Sequence, residues 1–240
     1  MKEIMEAIYP YISYIYYGFQ ALAILVGYIF HIFYAKKYKI KYSKAIIMVF
    51  LGFALMLIFN YFLGWMATGF KHFGSNNFIR CFILVPVYLI IACKITKTDL
   101  KLMCDMVAPY PCLIQTIGKI GCFLNGCCCG YLCVPNGVWN PRYNTYLYPI
   151  QIVEAIVAFI IAIIIIKRNK KREYIPDGKS YPLMLILFGA TRFILEFFRN
   201  NRKIVLGLSA FSFHSLFMMI VGIIVYLYIA KNENVKTNKN

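Results

Sequence analysis

Three groups of residues in this 240-residue chain have the types and spacing to do chemistry. The first is the run Gly118-Lys-Ile-Gly-Cys-Phe-Leu-Asn-Gly-Cys-Cys-Cys-Gly130, which holds four glycines, four cysteines, Lys119 and Asn125. Glycine lets backbone approach a ligand or a neighbouring segment closely. Lys119 offers fixed positive charge and Asn125 offers hydrogen bonds. The second is Gly189-Ala-Thr-Arg-Phe-Ile-Leu-Glu-Phe-Phe-Arg199. Arg192 and Glu196 are four apart and share a helix face, with Arg199 one turn further on. This is either an ion pair that only neutralises itself or a guanidinium held by Glu196 to meet a phosphate, which arginine recognises with two parallel bonds. The third is Gln151 and Glu154, three apart and on one face. They form a paired polar site, or Glu154 is simply a solvated carboxylate at a membrane surface.

Nine cysteines occur in the chain, and Cys122, Cys127, Cys128, Cys129 and Cys133 fall within twelve residues. Three readings stand side by side. They pack as small apolar side chains. They form a disulfide, from Cys122 to the run or from the run to Cys133. Or Cys122, Cys127, Cys128 and Cys129 hold a metal, although no paired Cys-x-x-Cys framework with histidine accompanies them.

The elements that position these groups are membrane helices. Hydrophobic residues make up 61% of the chain and charged residues 15%, which belongs to the membrane class and not to a soluble domain. Apolar runs of spanning length predict helices at about 12–33, 45–68, 78–94, 103–117, 150–166, 181–198 and 205–230. The fourth holds Asp105, Pro109 and Pro111 and is expected to be broken or tilted. The prediction is an all-α integral membrane protein of about seven spans, one polytopic domain over residues 1–240, with a disordered tail at about 231–240. Met1–Pro10 lacks the basic region of a cleaved leader.

The net charge of +17 would suggest nucleic acid in a soluble protein. Here most of the basic residues crowd three loops and the tail, after spans one, three, five and seven. The positive-inside rule then puts the N-terminus outside and the C-terminus in the cytoplasm, with no nucleic-acid partner. The Gly/Cys run therefore leads into an outer loop, where Trp139, Tyr143, Tyr146 and Tyr148 are expected at headgroup level. Buried ionisable groups in spans usually face an interior cavity, so Glu154, Arg192 and Glu196 are the expected site. His31 and His72 read as interfacial. His214 reads as a packing residue and is the one histidine within a span that could serve as a base.

The three blocks together resemble the prolipoprotein diacylglyceryl transferase family. Its Gly-Arg-x-Gly-Asn-Phe-x-Asn-x-Glu-x-x-Gly signature is kept at Gly118, Gly121, Phe123, Asn125 and Gly130. Tyr148 to Glu154 is similar to its Pro-x-Gln-x-x-Glu stretch, and Arg192, Glu196 and Arg199 fit its Arg-Phe-x-x-Glu-Phe-x-Arg helix. The resemblance covers roughly residues 80–225. It implies transfer of diacylglyceryl from phosphatidylglycerol to the lipobox cysteine thiol of an exported preprotein. It also implies a multi-pass protein of the bacterial cell membrane and no cofactor. Arg192, Glu196 and Lys119 would act on the phosphate. Asn125, Gly118, Gly121, Gln151, Glu154 and Arg199 would bind the substrate.

The chain departs from that pattern at four places. Lys119 stands for arginine, Cys122 for asparagine and Cys127 for glutamate. The family's His-Gly-Gly-Leu run should fall near Asn76–Cys81, where this chain has no histidine and Arg80 is the nearest polar residue. Two other readings follow from these departures: a thiol-redox or metal-handling protein on the same fold, or a non-catalytic relative that binds lipid or lipoprotein.

Overall fold

The computed structural model describes residues 2–67, 78–199, 203–205 and 207–237. The chain opens with a short helix α1 (Lys2–Ile8) and a 3-10 turn (Tyr9–Tyr11), which lead into α2 (Ile12–Lys37) and α3 (Tyr42–Ala67). Helix α4 (Phe78–Thr96) carries Pro86 inside it. Then come α5 (Leu100–Val107), α6 (Tyr110–Leu124), α7 (Ile150–Lys171), α8 (Ser180–Glu196) and α9 (Ala210–Thr237). At 1.5 Å per residue, the 26 residues of α2 reach about 39 Å, enough to cross a bilayer. Among the described residues, Tyr9–Lys37, Ile150–Lys171 and Ala210–Asn232 are each long and apolar enough to span, and Tyr42–Leu55 and Val85–Thr96 are shorter apolar helices. The protein is thus a mostly helical membrane protein.

Several expectations need correction. The fold is not purely helical: β1 (Val138–Asn140) pairs antiparallel with β2 (Thr145–Leu147), Val138 opposite Leu147, and β3 (Lys203–Val205) pairs with β4 (Leu208–Ser209). Trp139 is buried beneath α1 rather than anchored at a headgroup boundary. It meets the Tyr146 ring at 5.1 Å and Lys2 Nζ at 4.4 Å. The run at 103–117 is two helices, because Pro109 has no N–H to continue α5 and instead starts α6. Helix α9 continues to Thr237, past Ala230. His31 is buried, since it lies on the same face of α2 as Gly27, Tyr34 and Ala35 and packs against the Tyr110 ring. His72 and Asn76–Asn77 lie outside the described residues, as do the side chains of 78–84, Arg80 among them.

Two tight helix contacts carry the site. Helix α6 lies along α2, and a Cβ at Gly121 would come within 2.7 Å of Phe19 Cβ. Helix α8 lies along α9, where a Cβ at Gly189 would meet the Ser215 carbonyl at 2.7 Å. Small residues at such crossings let membrane helices gain dispersion contact that larger side chains would prevent. The core between these pairs is made of Met103, Met106, Ala158, Ile161, Ile165 and Met184.

At the far end of α8 a polar latch closes the break. Buried Asp105 accepts the backbone N–H groups of Asp177 (2.7 Å), Gly178 (2.9 Å) and Ser180 (2.9 Å). The Ser180 N–H is a first-turn donor of α8 with no partner within the helix, and the other two belong to the loop just before it. Asn169 of α7 donates to the Asp105 carbonyl at 2.9 Å and to Tyr34 Oη at 3.1 Å. Asp177 is paired with Arg168 and, at 3.2 Å, with Arg172. Burial alone would raise the Asp177 carboxyl, but these guanidinium contacts hold it below its ordinary value.

Candidate functional site

Glu154, one turn into α7, is the hub of the site. It is 4% exposed, so its carboxylate is not the solvated interfacial group that the sequence left open. It accepts charge-assisted bonds from three cations on two other helices and the segment after α8: Arg192 of α8, Arg199 (2.9 Å) and Lys119 of α6 (2.7 Å). Arg192 also reaches Glu196 at 3.3 Å, four residues on, and lies 6.0 Å from the Phe211 ring. Glu196 accepts the Ser209 hydroxyl at 2.6 Å, and Ser209 is in turn 3.3 Å from Ser212 Oγ. Among the described residues, three cations and two carboxylates leave one positive charge in excess at a largely dehydrated place. Charges are tolerated there only when paired, and the surplus favours an anion.

Backbone bonds tie the elements around this cluster. Gly130 N–H donates to the Tyr148 carbonyl at 3.1 Å, Tyr131 N–H to the Phe198 carbonyl at 3.1 Å, and Tyr148 N–H to the Tyr131 carbonyl at 3.0 Å. Gln151 donates to the Cys127 carbonyl at 2.7 Å, which joins α7 to the loop after α6. A cleft beside the cluster is lined by Gln115, Glu154, Val157, Thr191, Arg192 and Leu195. Ile156, Phe159, Ile160, Ile194 and Phe197 expose apolar side chains on the same helices.

Lys119, Glu154, Arg192, Glu196 and Arg199 therefore come together in one network. Gln151 sits beside it and holds the loop. Asn125 ends α6, and its side chain bonds the Cys127 thiol. Gly118 and Gly121 face α2: the Gly118 carbonyl accepts from Gln20 at 3.4 Å, and Gly121 abuts Phe19. Their close approach serves helix packing. His214 is exposed, its Nδ1 2.6 Å from the Ala210 carbonyl, on the side of α9 away from buried Ser212 and Ser215. The ring is thus turned away from the Glu154 network, with its Nδ1 held by its own helix backbone. Ser209 is the site residue that sequence reasoning missed. It ends the short strand β4, just before α9, and only the fold brings it to Glu196. All eight cysteines among the described residues are free thiols in this structure.

The chain matches the sequence profile of the family described as "Prolipoprotein diacylglyceryl transferase" over residues 5–228. It is similar to "Phosphatidylglycerol--prolipoprotein diacylglyceryl transferase" of Clostridium tetani (strain Massachusetts / E88), 37% identical over 59% of this chain and 58% of the relative. It is similar to "Phosphatidylglycerol--prolipoprotein diacylglyceryl transferase 2" of Clostridium perfringens (strain 13 / Type A), 32% identical over 65% of this chain and 64% of the relative. A Pasteurella multocida (strain Pm70) protein named "Phosphatidylglycerol--prolipoprotein diacylglyceryl transferase" is 32% identical over 62% of this chain and 56% of the relative. The matches thus span less than two thirds of these relatives' own lengths. With the buried Glu154–Arg192–Glu196 network in place and the profile covering nearly the whole chain, the protein belongs to the prolipoprotein diacylglyceryl transferase family.

Proposed function

We propose that the protein transfers the diacylglyceryl group of phosphatidylglycerol to a cysteine thiol of an exported prolipoprotein. The observation that carries this reading is the cluster of Lys119, Arg192 and Arg199 around Glu154, with net positive charge, beside a cleft flanked by apolar surface. The lipid phosphate would enter the cluster and its acyl chains would lie along the exposed apolar faces of α7 and α8. The thiol gives up its proton to solvent, and the thiolate sulfur bonds to the carbon of the diacylated glycerol that carries the phosphate. The carbon–oxygen bond breaks, and glycerol phosphate leaves with the electron pair as an anion. The added negative charge is met by guanidinium and ammonium groups that are already in place, so little reorganisation is needed at the moment of reaction. The same positive balance favours the acceptor as thiolate, the reactive form of a group whose free pKa is about 8.5.

The membrane arrangement that fits this reaction has seven spans: α2, α3, α4, the α5–α6 pair, α7, α8 and α9. The N-terminus is outside and the basic loops and C-terminus are in the cytoplasm of a bacterial plasma membrane. The site then lies toward the outer leaflet, where exported preproteins arrive.

The test is a membrane preparation given labelled phosphatidylglycerol and a lipobox peptide. The intact protein should add the diacylglyceryl mass to the peptide thiol. Arg192→Ala should lower the rate by roughly 100-fold or more, the scale of losing one preorganised donor to a developing anion. An intact chain with no peptide product, alongside an active control enzyme, removes the proposal.

A further inference from the structure

The cysteine run, which the transfer reaction does not use, holds a second built feature. Cys122 on the last turn of α6 and Cys127 and Cys128 in the loop beyond bring their sulfurs within 4.8 Å of one another. The backbone arranges this. After Asn125 the chain reverses through Gly126 at φ +64°, and Cys127 N–H returns to the Cys122 carbonyl at 3.2 Å. Cys128 follows in the same left-handed region, at φ +58°. In that conformation a Cβ crowds the following carbonyl oxygen. Glycine would occupy it freely, so a cysteine there is a positioned thiol.

We propose that Cys122, Cys127 and Cys128 form a thiolate site for a soft d10 metal ion, of the zinc or copper(I) type. Metal–sulfur bonds of about 2.3 Å at tetrahedral angles put ligand sulfurs about 3.8 Å apart, so the three need only close slightly on an ion. Binding a divalent ion releases three thiol protons to solvent and leaves one net negative charge. Lys119, one turn before Cys122, and Arg199 lie close enough to act on Cys128 electrostatically and balance that charge. Cys128 is exposed and gives the ion a way in. Cys129 stays outside the set: its thiol donates to the Gly126 carbonyl at 3.0 Å and its sulfur accepts from Asn140 at 3.1 Å. An ion here would fasten the end of α6 to the loop that Gln151 holds from α7. This proposal stands apart from the transfer reaction and is tested without it.

The experiment uses the full-length protein in detergent, reduced and stripped of metal. Cobalt(II) should give thiolate-to-metal absorption that saturates at one ion per chain. Zinc(II) and copper(I), added separately, should each be scored for displacing it. Zinc should also shield Cys122, Cys127 and Cys128 from alkylation, read by mass spectrometry on the unmutated chain, while Cys133 continues to react. Cys128→Ser should weaken binding by more than the roughly 10–100-fold lost with an outer partner of a metal site, and Cys133→Ser should not change it. The proposal fails if the unmutated, reduced chain shows no thiolate absorption. It fails equally if zinc leaves all three thiols as reactive as before, or if Cys128→Ser binds as tightly as the parent.

Discussion

Replacing Glu154 by glutamine isolates what one carboxylate does at the centre of the site. Gln keeps the shape and removes the charge that Lys119 meets at 2.7 Å, Arg199 at 2.9 Å and Arg192 beside them. Charge-assisted bonds of this kind contribute roughly 1.5–3 kcal/mol each when considered singly. They are not additive here, because Arg192 keeps Glu196. The appropriate scale is the loss of one partner from a buried ionic group, about 3–5 kcal/mol. For a chain of this size that corresponds to a melting point lower by roughly 6–20 °C. The site's excess of positive charge also doubles, from one to two, so an anionic headgroup should recover more stability in the variant than in the parent. The assay is thermal melting in phosphatidylcholine nanodiscs with and without phosphatidylglycerol. Glu6→Gln serves as control, since its pair with Lys2 spans 3.9 Å with both side chains about half exposed. An exposed pair contributes about 0–1 kcal/mol, so that variant should melt with the parent. If Glu154→Gln also melts with the parent, or gains no more from phosphatidylglycerol, the reasoning that Glu154 holds the cations together is wrong.

Three further outcomes follow from the same geometry. Gly121→Leu should drive α2 from α6, because even a Cβ meets Phe19 at 2.7 Å; overpacking costs about 1–3 kcal/mol, read as a lower melting point with reduced transfer. Asp105→Asn turns one acceptor oxygen into a donor facing backbone N–H groups at the start of α8, and should cost about 1–3 kcal/mol in chemical denaturation. Asp177 has a folded-state pKa below its unfolded value of about 3.9, so its contribution is complete above that value and is lost as pH falls through the folded one; acid melting curves of Asp177→Asn should lack that segment.

The sequence made some of this site legible and hid the rest for identifiable reasons. Arg192 and Glu196 were readable as a pair because helical spacing alone places them together. Gln151 and Glu154 were readable as one face of α7 for the same reason. The role of Glu154 was not readable, since its partners lie 35, 38 and 45 residues away and no local period brings them near. The broken fourth span could be anticipated from Pro109, but not the use of Asp105 to cap a helix 75 residues later. Trp139 read as a membrane anchor because aromatic residues favour interfaces; the hairpin that buries it depends on pairing with Tyr146 and on cover from α1. The glycines of the signature run suggested a ligand loop, yet Gly118 and Gly121 lie on a helix that needs thin side chains against α2.

The stitching around Gly130 has a mechanical consequence. One short strand of loop bonds to the residues just before α7 and to those just after α8, so it acts as a keystone between these two helix ends. A side chain at position 130 would drive into the Tyr148 and Phe198 carbonyls, at 2.7 and 2.9 Å. With that end pinned, α7 and α8 can part only lower down, where Val157 and Thr191 line the cleft. On the proposed reading, a two-chain lipid would enter beside those residues and not past the pinned end. The loop that carries Gly130 would be the fixed frame against which it turns.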